Sequence, residues 1–346
     1  MIERLDRRYY APAVCVSHGG AGTLSKEIDR QHIPIIEAPS TVSALPYATL
    51  PFRVRKAAKA FEPYKFALWH SFHYLDDYTE PLIARMAGAK WVYTKKNMNW
   101  HRRAWILRSL FASRIAAQNE SMIRDFFSSS LFRDKVRLIP TSVDTRLFTP
   151  DCPPRLNMRK QMGIGKEEIV IVCVANLMPV KNHPMVIRAI AEVPGVHLWL
   201  AGRVIDPDYA DTLQRMCEER KITDRVHFLS SVADIPALLS EADIFCMQSI
   251  NEGCPYSLLE AMSCGLPVVV TDIPGLRAPV DEGVNALLVK LDDHDAMARA
   301  FRRLSEDGEM RRQIGAAARR KAVEHYDLDR EARQYSELYK ELLETT

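Results

Sequence analysis

The chain has 346 residues, 47% of them apolar and 26% charged, a size and composition suited to two globular domains rather than one. No apolar stretch reaches the eighteen or so residues of a membrane span, and residues 1–8 lack the apolar core of a secretory signal, so the expected location is the cytoplasm, with peripheral contact at a membrane face as the alternative. Seven cysteines, scattered and without a Cys-x-x-Cys pair, argue against a disulfide framework and structural zinc.

The net charge of +3 hides an asymmetry. Residues 1–150 hold 23 Lys and Arg against 13 Asp and Glu, whereas residues 151–346 hold 24 against 31. A basic first half implies that it faces something anionic: a phospholipid surface, a diphosphate-linked acceptor or nucleic acid.

In chain order, the first half offers strands at Ala13–Val16, Ile33–Ile36, Phe66–Trp69, Trp91–Thr94 and Arg114–Ala117, with helical material between them. The loop 17–25 follows a strand, and its Gly20-x-Gly22, with Glu37 further on, imitates a dinucleotide fingerprint. The third glycine is replaced by Ser25, so a tight turn competes with a nicotinamide site and is the preferred reading. The turn formers from Leu138 to Pro154 mark the exit from the first domain.

From Ile169 the pattern sharpens. Strands at 169–175, 196–201, 226–229, 244–247 and 267–271 alternate with helices near 183–193, 208–220, 234–241 and 257–264, and a last helix covers about 329–343. Strict alternation implies a parallel sheet covered on both faces, with ligands at the carboxyl ends of its strands. Asp206-Pro-Asp208, a possible metal motif, reads as a turn plus helix N-cap, so no essential metal is expected.

The segment Asn251-Glu-Gly-Cys-Pro-Tyr-Ser-Leu-Leu-Glu260 places two carboxylates around a strand-to-helix loop. A helix N-terminus there would stabilise a diphosphate, and Glu260 could hold a ribose. Ser257 is a plausible N-cap with Glu260 completing a capping box. The competing interpretation makes Glu260 a capping residue and Glu252 a solvated charge; the residues alone leave both open.

This stretch resembles the Glu-x7-Glu signature of the retaining GT-B glycosyltransferases of family 4. The likeness extends over roughly 135–340 through Ile139–Pro150, Ala175-Asn-Leu-Met-Pro-Val-Lys-Asn182, Glu241–Ile244 and Asp281–Val289. It implies two Rossmann-like α/β domains facing a cleft, residues 1–150 on the acceptor side and 151–328 holding the nucleotide, with 329–346 crossing back as a helix. The initial strand and glycine loop of the first domain are expected to be missing.

By the same resemblance Lys181 binds the donor diphosphate and Glu252 contacts the transferred sugar. Gly253, Cys254, Pro255 and Tyr256 hold phosphate and sugar hydroxyls, Glu260 holds the ribose, and Ser231 and Val232 lie along the base. Asn176 replaces the family's diphosphate arginine, shifting weight onto Lys181. On the first domain Lys96 falls where the family has a catalytic histidine, with His101 as a nearby substitute; His70 and His73 are further cleft candidates.

The implied activity is transfer of a sugar from a nucleoside diphosphate, UDP in preference to GDP, to a glycan or lipid-linked acceptor with retention, needing no cofactor. A sugar-nucleotide epimerase and a non-catalytic, partner-dependent nucleotide binder are the alternatives. The cations and aromatics of Lys95, Lys96, Trp100, His101, Arg102, Arg103, Trp105, Arg108 and Phe111 suit an interfacial helix on anionic lipid, or a solvated basic face over core aromatics. No nucleic-acid-binding module accompanies them.

Overall fold

The β-branched run Ile169–Val174 forms the central strand of a six-stranded parallel sheet, buried on both faces as its unbroken apolarity requires. The computed structural model describes residues 2–16, 32–73, 77–99 and 102–344, and it divides them into two units. Unit 1 comprises Met1–Pro140 with Asp329–Thr346, and unit 2 comprises Thr141–Leu328.

Unit 1 opens with the parallel pair β1 (Val14–Val16) and β2 (Ile35–Glu37). Its larger sheet has four parallel strands in chain order: β3 (Leu68–Ser71), β4 (Lys90–Lys95), β5 (Arg114–Ala117) and β6 (Val136–Leu138). The C-terminal helix Leu328–Glu344 buries Tyr335, Leu338, Tyr339 and Leu342 against Val92, Ala116 and Ile139 of this unit, so its apolar stripe explains its place. The loop 17–31, with its glycines and Ser25, lies outside the described residues.

Unit 2 contains β7 (Ile169–Val174), β8 (Val196–Ala201), β9 (Val226–Ser230), β10 (Ile244–Met247), β11 (Val268–Thr271) and β12 (Ala286–Val289). Their order in the sheet is β12-β11-β10-β7-β8-β9, all parallel. The chain therefore runs outward from β7 to β9, returns to β10 beside β7, and runs outward again. That reversal makes the carboxyl ends of β7 and β10 the topological switch point, where an open α/β sheet leaves a crevice.

The junction of the units falls at Pro140 and Thr141, earlier than the expected Pro150. Residues 141–150 belong to unit 2 because Val143 and Phe148 join its core, the Val143 amide bonds the Tyr326 carbonyl at 2.8 Å, and Ser263 Oγ donates to the Phe148 carbonyl at 2.7 Å.

Candidate functional site

The switch point is built by two loops. After β7 the chain makes a short 3₁₀ turn, Pro179–Lys181, and enters the helix His183–Ala191 through Asn182, whose backbone is left-handed (φ 51°). After β10 it passes through Gln248 to Pro255 and enters the helix Tyr256–Ser263. The loops are stitched together: the Ile250 amide donates to the Val180 carbonyl at 2.9 Å, and Gln248 Nε2 donates to the Lys181 carbonyl at 2.9 Å.

These contacts bring Lys181 and Glu252 side by side. The Lys181 ammonium donates to Glu252 Oε1, which also accepts from Ser249 Oγ at 2.8 Å, and both charged side chains are largely buried. Residues 71 apart in sequence thus form one charged pair at the switch point. The Glu252 backbone is fixed from behind by Gly275, where a Cβ would stand 2.1 Å from the Glu252 carbonyl oxygen. Only glycine permits that approach.

The helix Tyr256–Ser263 starts differently from expectation. Its N-cap is Pro255 and no side chain caps it, so Ser257 lies inside the first turn and no capping box forms with Glu260. Pro255 has no N–H to offer an anion, which removes it from the expected set of amide donors. Its fixed φ instead launches the helix. The Cys254 side chain is packed into the core, so only its backbone faces the loop, whereas Tyr256 is exposed. The first turn of a helix leaves its amides without intrahelical acceptors, at the positive end of the dipole.

Glu260 sits one turn further along. Among the described residues its carboxyl has neither a hydrogen-bond nor an ion-pair partner, and burial pushes it up to about 7. A carboxyl withdrawn from water without a protein donor is costly, and such groups concentrate at functional sites.

On the other side of β7, Asn176 Oδ1 accepts from the Arg203 amide at 3.1 Å. Gly202 closes β8 against β7: a Cβ there would stand 2.0 Å from the Ala175 carbonyl oxygen. Ser231 and Val232 follow the left-handed Ser230 at the end of β9; Ser231 is exposed and Val232 packs partly on the core. Asn176, Lys181, Glu252, Ser231 and Val232 thus all lie beyond carboxyl ends of this one sheet. Gly202, Gly275 and the free state of Glu260 escaped the sequence reading; a glycine directly after a strand and the Pro274-Gly275 pair were the available signals.

Asp206 is an N-cap, accepting from the Tyr209 amide at 3.0 Å, and Asp208 lies in the first turn of that helix. Among the described residues Glu192, His294 and Asp295 could gather round a cation, at a largely exposed position.

In unit 1, His70 is held by its neighbours. Its ring nitrogens engage Tyr339 Oη at 2.6 Å and Thr94 Oγ1 at 2.9 Å, and burial, aided by Lys96, lowers it to about 3, so it is neutral. His73 is bound to Glu80 at 2.7 Å. Lys96 follows β4, its ammonium 5.4 Å from the Phe72 ring centre and lowered by burial against the opposing pull of Glu331. His101 and Trp100 lie outside the described residues.

Within the basic and aromatic run, Arg108 and Lys95 belong to neither an interfacial nor a solvated face, whereas Arg103 is exposed. Arg108 is wholly buried, joined to Glu80 at 3.0 Å and set 4.6 Å from the Trp91 ring centre. Lys95 is also buried, 4.1 Å from the Trp105 ring centre and donating to the Asn97 and Asn99 carbonyls at 2.6 and 2.7 Å; burial, then Arg108, lowers it to about 7. These cations are core groups held by π faces and oxygens. Among the described residues no helix is long and apolar enough to cross a membrane.

The sequence profile of the family described as glycosyl transferases group 1 matches residues 154–321. A GDP-mannose-dependent alpha-(1-6)-phosphatidylinositol monomannoside mannosyltransferase of Mycolicibacterium smegmatis is 32% identical over 201 residues, 54% of this chain and 52% of the relative. The chain thus spans about half the length of that curated relative. Among solved structures, a glycosyltransferase from Rickettsia africae superposes with a TM-score of 0.85 at 18% identity, covering 96% of this chain and 91% of that one. Anabaena HepE in complex with UDP and glucose gives 0.82 at 22%, covering 94% and 91%. The fold is that of GT-B glycosyltransferases, and residues 154–321 are similar to the glycosyl transferases group 1 family.

Proposed function

We propose that the chain is a glycosyltransferase that takes a nucleoside-diphosphate sugar on unit 2 and passes the sugar to a hydroxyl of a glycan or lipid-linked acceptor with retention of configuration. The observation that carries this reading is Glu260, an unpartnered carboxyl withdrawn from water one turn into the helix at the switch point. A vicinal diol supplies the two hydroxyl donors such a carboxylate lacks. The helix N-terminus and Lys181 supply the positive field for a diphosphate. An ammonium has three donors, so Lys181 can keep Glu252 and still meet a phosphate oxygen.

In this reading Lys181 and the amides of the first turn stabilise charge as the diphosphate leaves, the kind of preorganised stabilisation that dominates many active sites. Glu252, already held by Lys181 and Ser249, is placed to accept hydrogen bonds from hydroxyls of the sugar. Ser231 and Val232 border the base. No metal or cofactor is called for in this reading, because an ammonium and a helix terminus take the cation's part. Lys96 and His101 are kept as candidates on the acceptor side, and the basic balance of residues 1–150 supports an anionic acceptor.

The test is incubation with UDP- and GDP-sugars, UDP first, following nucleotide release with and without a glycan or lipid-linked acceptor. The expected result is acceptor-dependent release, abolished by Glu252→Gln. Release without acceptor would point to an epimerase, and binding without turnover to a non-catalytic protein; either outcome defeats the proposal.

A further inference from the structure

Resting on the donor-site reading above, we propose that Arg203 is a diphosphate-binding residue, held in place by Asn176, and that it supplies from β8 the cation that the family's motif places on β7.

β7 and β8 pair Ile169 with Val196 and Val174 with Ala201, and the same offset returns beyond the strands where Leu177 pairs with Val204. Asn176 and Arg203 therefore stand at one level on adjacent segments. Neighbouring strands lie about 4.8 Å apart, less than the reach of an extended arginine side chain. A guanidinium rooted at 203 can thus serve the space beside residue 176.

The local backbone shows why asparagine accompanies this arrangement. Gly202 is pressed against the Ala175 carbonyl, the Leu177 amide donates to the Arg203 carbonyl at 2.9 Å, and the Arg203 amide turns to Asn176 Oδ1. Asparagine presents an acceptor, and arginine has none. The residue that departs from the family motif is thus the one that fixes the backbone carrying a new cation. The Arg203 residue is exposed, and its guanidinium has no hydrogen-bond or ion-pair partner among the described residues. Its neighbours in the sheet order are the segment leading to Lys181 on one side and Ser231 on the other, so a nucleotide running from base to diphosphate passes it.

The experiment measures UDP and GDP affinity by titration calorimetry for the whole chain, Arg203→Ala, Arg203→Lys, and the double variant Asn176→Arg with Arg203→Ala. Arg203→Ala should weaken binding roughly tenfold to a hundredfold, the range for losing a charged hydrogen bond. Arg203→Lys should recover part of it, and the double variant should bind more tightly than Arg203→Ala because the cation returns on the adjacent strand. Thermal midpoints of the variants show that folding is retained. Unchanged affinity in Arg203→Ala, or no recovery in the double variant, overturns the inference. A chain that binds neither nucleotide overturns the donor-site reading itself.

Discussion

Replacing Glu260 with glutamine should stabilise the free protein at alkaline pH while weakening its hold on nucleotide. The carboxyl is raised from 4.5 to about 7 by burial alone, with no donor to favour the ionised form. The folded state therefore holds this proton more tightly than the unfolded chain does. Its stabilising effect is intact below about pH 4.5 and is lost as pH rises through about 7. Above that, a shift of this size corresponds to roughly 3 kcal/mol of destabilisation, at 1.36 kcal/mol per pH unit. Glutamine removes the term. In a unit of this size each kcal/mol moves the midpoint by about 2–4 °C. Thermal melts of both proteins at pH 5 and pH 8.5 should thus show Glu260→Gln several degrees more stable at the higher pH and nearly equal at the lower. Calorimetry should show the opposite preference for UDP and GDP, because the amide replaces an ionised acceptor. A variant that is less stable than the parent at pH 8.5 would refute the burial argument.

Lys181→Ala should weaken UDP or GDP binding about tenfold or more, and should leave Glu252 held by Ser249; titration calorimetry reads the first effect. Gly275→Ala should disable the donor site with little change at β7–β8, because the added carbon meets the Glu252 carbonyl at 2.1 Å and must displace that loop; nucleotide affinity and amide exchange at 250–256 report it. Arg108→Ala should cost unit 1 about 3–5 kcal/mol by leaving the buried Glu80 carboxylate without its guanidinium. Limited proteolysis should find cleavage within residues 32–138 first, and the double replacement Glu80→Gln with Arg108→Met should recover much of the loss.

Unit 2 was legible because β8, β10 and β11 are fully buried and β7 nearly so, and full burial writes itself as unbroken apolar runs; β8 and β10 were read at their observed limits. The edge strand β12 was read as a closing motif rather than a strand, since Ala-Leu-Leu-Val is short and poor in β-branched residues. In unit 1, β6 is three residues long with arginine at its centre, which gives no alternation to follow. Lys95 and Arg108 were misread for a sound reason: long cations are rarely buried. The enclosing Trp91, Tyr93 and Trp105 were visible, but not which way the cations pointed.

The site was legible as a set of positions and not as a set of contacts. The pairing of Lys181 with Glu252 depends on the strand order that sets β10 beside β7, a long-range fact that no local pattern holds. The N-cap at 257 failed because Pro255 caps the helix two residues earlier, leaving Ser257 in its first turn.

A crystal structure with UDP or GDP bound tests the donor site most directly. The diphosphate should lie at the N-terminal turn of the helix Tyr256–Ser263 beside Lys181, and the ribose hydroxyls on the Glu260 carboxylate. A nucleotide seated elsewhere, with Glu260 still unpartnered, would contradict that placement.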